Sequence, residues 1–116
     1  YQDAFSRVVL PVLAQFDPDW LLVSAGYDGH IEDPLGGLGL LPLDYELMAA
    51  SLGQVMDRTN TVFLLEGGYN LDAITASVTA TLDGFAFGTS TISRPDAPDP
   101  WVDSAVAVES LFWDLV

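Results

Sequence analysis

Two short stretches of this chain set polar side chains among glycines directly after apolar runs: Ser24-Ala25-Gly26-Tyr27-Asp28-Gly29-His30 and Glu66-Gly67-Gly68-Tyr69-Asn70. In open α/β sheets, ligand sites gather beyond the carboxyl ends of the strands, which is where such glycine turns would carry these side chains. If the two strands are neighbours, Asp28 and Tyr69 approach one crevice. A carboxylate can ligate a metal, and a phenol can donate a hydrogen bond to a developing oxyanion; together they are complementary parts of metal-assisted hydrolysis. The same residue types also cap helices and shape turns, so composition alone leaves a purely structural reading open.

Cysteine is absent and His30 is the single histidine, so a metal in this segment would be held by oxygen or by His30. The two stretches must be positioned by the elements around them. Tyr1, Phe5, Val8, Val12 and Phe16 recur at spacings of three and four, which predicts a helix that Pro11 kinks or divides and Asp17-Pro18-Asp19 ends. Trp20 to Ala25 and Thr61 to Leu65 are short apolar runs, as expected for strands of a parallel sheet covered on both faces. Between them lies a loop over residues 26–39 with five of the ten glycines, then a helix from Pro42 to about Asn60 with Tyr45, Met48, Leu52, Val55 and Met56 as its stripe.

Asn70 is placed to cap a further helix whose stripe is Leu71, Ile74, Val78, Leu82 and Phe85, closed near Gly88. Arg94 to Pro100 reads as a linker, and a last helix begins with Asp99 as cap and Pro100 in its first turn, with Trp101, Ala105, Val108, Phe112 and Leu115 on one side. Alternation of helix and strand predicts an α/β fold with a parallel sheet and right-handed crossovers. Two strands are narrow for that many helices, and the chain opens without methionine inside a helical pattern; both features suit the downstream part of a longer protein.

With 116 residues and half of them apolar, one hydrophobic core is expected. Three arginines and no lysine stand against 13 Asp and 4 Glu, a net charge of -14 that disfavours phosphate-backbone binding and suits a cationic partner or simply a solvated acidic surface. No stretch approaches the roughly 20 apolar residues of a membrane span, and the first residues lack the pattern of a signal peptide. A soluble chain is expected, with the cytoplasm as its compartment.

Phe16-Asp17-Pro18-Asp19, Leu21-Leu22-Val23-Ser24-Ala25-Gly26-Tyr27-Asp28 and Asp33-Pro34-Leu35-Gly36-Gly37 resemble the zinc-aspartate segment of the histone deacetylase family, particularly its class II-like and bacterial amidohydrolase branches. Leu64-Leu65-Glu66-Gly67-Gly68-Tyr69-Asn70-Leu71 resembles the same family's tyrosine loop. The resemblance runs from Tyr1 to about Phe87. It implies a three-layer arginase/deacetylase fold, with residues 1–93 as the C-terminal portion of a catalytic domain and residues 94–116 as linker and terminal helix.

The resemblance also implies zinc as cofactor, Asp28 as one ligand and Tyr69 as donor to the scissile carbonyl oxygen during hydrolysis of acetyl-lysine in a protein or peptide. Leu35, Gly67 and Gly68 match residues lining the acyl-lysine channel, and Asp33-Pro34 matches a loop-shaping pair. Asp28-Gly29-His30 repeats the Asp-x-His pattern by which the family supplies two ligands upstream, and in an extended segment both side chains could reach one metal. At this downstream position the family often has a histidine that does not ligate, so His30 is expected beside the metal rather than on it. Two further ligands and the general acid-base histidine pair are expected from upstream, leaving residues 1–116 alone poor in zinc binding and without turnover.

Three other readings share these residues. An acetylpolyamine would serve as well as acetyl-lysine for an acidic protein. Ureohydrolases such as arginase carry an Asp-x-Asp-x-x-Asp-Pro motif for two manganese ions, whose offsets Asp28, His30, Asp33 and Pro34 share with the middle aspartate replaced. A non-catalytic interaction domain could keep the scaffold without turnover.

Overall fold

The computed structural model describes residues 1–93, 96–97 and 99–115. Their contacts divide into two compact units, one of Asp19–Thr91 and the other of Tyr1–Pro18 with Ile92–Val116.

The larger unit is built on two strands, β1 (Leu21–Ala25) and β2 (Thr61–Leu65), paired in parallel from Leu21 opposite Thr61 to Ala25 opposite Leu65. Parallel pairing demands a long crossover, which the 26–39 loop and a helix spanning Pro42–Val55 supply. The ladder runs past the strand ends: the Glu66 N–H donates to the Ala25 carbonyl at 3.0 Å and the Tyr27 N–H to the Gly67 carbonyl at 2.7 Å. Leu21, Val23 and Ala25 are half-buried, whereas Leu22, Val62 and Leu64 on alternate positions are exposed. Among the described residues, then, only one face of this pair is covered.

The expected helix to Asn60 stops earlier. It ends at Val55, and a separate 3-10 turn, Arg58–Asn60, follows because the Asp57 carboxylate accepts from the Thr59 N–H at 2.8 Å. Asn70 caps the next helix, Leu71–Phe87, as expected, accepting from the Asp72 and Ala73 N–H groups at 3.0 and 3.1 Å. The expected apolar stripes are buried only in part: Tyr45 and Leu52 are buried and Met48, Ile74 and Val78 pack on the core, but much of what these two helices bury is small. Their buried residues are Tyr45, Ala49, Ala50, Ser51, Leu52 and Gly53 on the first and Ala73, Ser77, Thr81 and Gly84 on the second, while Leu71 and Leu82 are exposed. Small side chains let the backbones close up, and a Cβ on Gly84 would collide with the Glu46 carbonyl oxygen. Helix contact here depends on what permits close approach as well as on apolar surface.

The core of this unit gathers Tyr27, Leu40 and Tyr45, with Ala25, Met48, Ile74 and Val78 packed against it. Phe63 of β2 meets the edge of Phe85, ring centroids 5.1 Å apart.

In the smaller unit the first helix is one run in three parts: α-helix Gln2–Ala4, π-helix Phe5–Val9 and α-helix Leu10–Phe16. Pro11 divides it as expected. Its ring would crowd the Arg7 carbonyl and it offers no N–H, and the turn just before it widens, with the Leu10 N–H reaching back to the Phe5 carbonyl. Asp17, at φ 48°, ends the run in the left-handed region. The Arg7 guanidinium lies between Asp3 at 3.1 Å and Asp103 at 2.7 Å, tying this run to the last helix, Pro100–Glu109. Asp3 also accepts from the Asp99 N–H at 2.8 Å, and Phe16 meets Trp113 edge-on.

Asp99 caps the last helix through the Trp101 N–H as expected, but the helix ends at Glu109, short of the expected Phe112 and Leu115, and its predicted apolar side faces outward: Trp101 is 85% exposed and Val108 is exposed, while Val102 is buried. Of the expected linker, Arg94, Pro95 and Pro98 lie outside the described residues, as does Val116.

Candidate functional site

The loop after β1 is anchored by Tyr27. Its ring packs on Tyr45 at 5.2 Å, and its hydroxyl donates to Thr81 Oγ1 at 3.2 Å, so both large helices hold the residue preceding Asp28. Asp28 itself is half-buried. Its carboxylate lies between two glycines of different loops: a Cβ on Gly26 would stand 3.1 Å from Asp28 Oδ1, and one on Gly67 only 2.6 Å from Oδ2. The cradle exists because neither position carries a side chain.

Tyr69 follows a glycine at φ +140°, Gly68, a conformation L-residues rarely adopt. Its side chain is 60% exposed and so is reachable from solvent, as is Leu35 at 72%. The loops bearing Asp28 and Tyr69 are joined side by side. Besides the Tyr27 to Gly67 bond, the Tyr69 N–H donates to Asp33 Oδ2 at 2.7 Å and Asn70 Nδ2 donates to the Glu32 carbonyl at 3.0 Å.

Asp33 is buried, and its other oxygen accepts from the Leu35 and Gly36 N–H groups at 2.9 and 3.0 Å. Burial pushes this carboxyl up, but backbone N–H groups of Leu35, Tyr69, Gly36 and Asn70 outweigh it and hold the group below the usual carboxylate range. With both oxygens turned to backbone donors, Asp33 does not serve as a metal bridge of the ureohydrolase kind.

The premise that Asp28 and His30 alternate along an extended segment does not hold. The His30 N–H donates to the Tyr27 carbonyl at 3.2 Å, so Asp28 and Gly29 sit in a tight turn. His30 is buried, and its Nδ1 accepts the Glu32 N–H at 3.1 Å. A neutral imidazole that accepts at Nδ1 carries its proton on Nε2, leaving neither nitrogen a lone pair for a metal.

Sequence reasoning missed Tyr27 as the anchor and gave Asp33 too small a part. The second had a legible signal: Asp-Pro-x-Gly is the pattern of an Asx turn, in which the aspartate accepts from the N–H groups two and three residues on.

Asp28 and Tyr69 thus stand on adjoining loops beyond the ends of two parallel strands, as in proteins of α/β type. Residues 1–85 match the family model of the histone deacetylase domain. The chain is 41% identical over 98 residues to histone deacetylase 10, chloroplastic, of Oryza sativa subsp. japonica, covering 82% of this chain and 22% of that protein. It is 46% identical over 81 residues to histone deacetylase clr3 of Schizosaccharomyces pombe, covering 69% of this chain and 12% of that one. The solved structure of the histone deacetylase Clr3 superposes with a TM-score of 0.78 at 32% identity, over 96% of this chain and 19% of that chain. The chain therefore belongs to the histone deacetylase family, and it spans no more than 22% of the length of these relatives.

Proposed function

We propose that this chain is the part of a zinc-dependent deacetylase that contributes Asp28 to the metal and Tyr69 to the oxyanion, within a three-layer α/β catalytic domain of arginase/deacetylase type. The observation carrying this reading is the joining of the two loops, with the Asp28 carboxylate set against Gly67, two residues before Tyr69. Asp28 fits as a zinc donor: it is an oxygen ligand, half-buried, and bordered by Gly26 and Gly67, neither of which places a side chain against its carboxylate. Among the described residues no group of three or more His, Asp or Glu is arranged to hold a metal ion, so on this reading the remaining ligands come from elsewhere in the protein, and residues 1–116 alone retain little zinc.

A bound zinc would supply Lewis acidity to the amide carbonyl of an acetylated lysine. Asp28 would present its carboxylate as an oxygen ligand to that metal. The Tyr69 hydroxyl donates a hydrogen bond when the carbonyl oxygen gains charge, an interaction stronger in the transition state than before it. Leu35, Gly67 and Gly68 would border the path of the acyl chain, Leu35 by apolar contact and the glycines by leaving room. The net charge of -14 favours a cationic substrate, a basic protein segment or an acetylated polyamine, over nucleic acid. No helix among the described residues is long and apolar enough to cross a membrane.

The test is Tyr69→Phe in the complete protein. Loss of one oxyanion donor typically costs about 10² to 10³ in kcat; zinc content by metal analysis stays unchanged. Unaltered kcat on acetyl-lysine peptides removes Tyr69 from the reaction. Profiling acetyl-lysine peptides against acetylated polyamines separates the two substrate classes.

A further inference from the structure

What holds Tyr69 in place is not its side chain, which is largely exposed. The residue before it, Gly68, has the least restricted backbone of any residue type, so the turn by itself leaves the direction of Tyr69 loosely set. Its position has to come from bonds to the backbone of this loop. The strongest in kind is the charge-assisted one from the Tyr69 N–H to Asp33 Oδ2 at 2.7 Å, from a residue 36 positions away. Asp33 is itself fixed. Its Oδ1 closes the turn to Leu35 and Gly36, and it is buried beneath the same loop that carries Asp28.

We infer that Asp33 is the positioning residue of Tyr69: one carboxylate divides its two oxygens between the aspartate loop and the tyrosine loop and so fixes the phenol relative to Asp28. This rests on the proposed role of Tyr69 and adds to it a reason why the phenol is held ready before substrate arrives. Preorganised donors stabilise charge without reorganising at the moment of reaction, and a misplacement of about 1 Å can cost as much as 10²-fold in rate. Asn70, through its amide to the Glu32 carbonyl, supplies a second tie between the same loops.

Asp33→Asn tests this in the complete metal-loaded protein. A carboxamide has one acceptor oxygen: it can keep the turn to Leu35 and Gly36 or accept from Tyr69, but not both. Asp33→Ser is the companion variant, since its hydroxyl can keep a turn of the same kind and is too short to reach the Tyr69 amide. Two readouts are taken, hydrogen exchange at the Tyr69 amide and kcat with KM on an acetyl-lysine peptide. Exchange is expected to quicken on the order of tenfold or more in Asp33→Ser, and in Asp33→Asn if its oxygen stays with the turn, and kcat to fall roughly 10- to 100-fold in both with KM little changed.

In the Tyr69→Phe background the same substitutions should cost nothing further in kcat, because residues acting as a unit are not additive. Unchanged amide exchange in Asp33→Ser, which cannot reach the Tyr69 amide, overturns the clamp. An equal loss of kcat in both backgrounds also overturns it, since Asp33 would then act on the fold at large. If Tyr69→Phe alone leaves kcat intact, the proposed role of Tyr69 fails, and with it the catalytic part of this inference; amide exchange still reports separately whether the clamp exists.

Discussion

The carboxylate of Asp28 occupies the space that a Cβ on Gly67 would need, 2.6 Å from that atom to Oδ2. Gly67 belongs to the loop after β2 and Asp28 to the loop after β1, so two strand ends meet through the absence of a side chain. Gly67→Ala forces the carboxylate or the loop to move. Because the groups around a ligand tune its orientation, metal affinity is expected to fall about 10- to 100-fold. Competition with a chelator followed by metal analysis of the complete protein measures this; unchanged affinity would show that Asp28 is not oriented by this contact.

His30 sits two residues from Asp28 and contributes through its Nδ1, which accepts the Glu32 N–H. His30→Ala leaves that donor without its acceptor in a buried place and removes a packed ring. A loss of roughly 1–3 kcal/mol in unfolding free energy is expected, with metal stoichiometry unchanged. Loss of bound metal without loss of stability would return His30 to the list of ligands.

Much of the frame was legible in the sequence. Asn70 and Asp99 announced their caps, Pro11 its interruption, and the two apolar runs their strands, because each of these is a local preference that tertiary packing did not have to overrule. The faces of the helices were less legible. Leu71, Leu82, Trp101 and Val108 fall on regular apolar stripes and are exposed among the described residues, whereas Ala49, Ala73, Ser77 and Gly84 are buried. Periodicity ranks residues by how apolar they are, and close helix contact selects those that are small. At the site, the motifs singled out Asp28 and Tyr69, but the bonds joining their loops, such as the one from Tyr69 to Asp33 across 36 residues, have no local signature. Beyond Gly88 no motif was legible, although the likeness to Clr3 covers 96% of the chain.

Gly84 gives that distinction a direct test. A Cβ there would run into the backbone carbonyl of Glu46 on the facing helix, an atom that cannot swing aside as a side-chain tip can. Gly84→Ala is expected to destabilise by about 1–3 kcal/mol despite the better helix propensity of alanine. Denaturant unfolding measures it. A midpoint equal to or above that of the unchanged protein would mean that the two helices are not in close backbone contact.

Acid should loosen the joined loops in a defined window. Asp33 is held below the ordinary carboxylate range in the folded protein, where burial raises it and the N–H groups of Leu35, Tyr69, Gly36 and Asn70 lower it by more. The unfolded chain titrates near the ordinary aspartate value, about 3.9. Between the folded and unfolded values the unfolded state binds more protons, so stability falls as pH falls. The contribution of Asp33 is therefore complete above about pH 4 and is lost as pH drops through its lower folded value. Asp33→Asn, which cannot ionise, should be less stable than the unchanged protein near neutrality and should approach it in acid. Unfolding followed from neutral pH to below pH 4 checks this. A stability difference between the two proteins that stays constant over the whole range would show that the charge of Asp33 contributes nothing to holding the loops together.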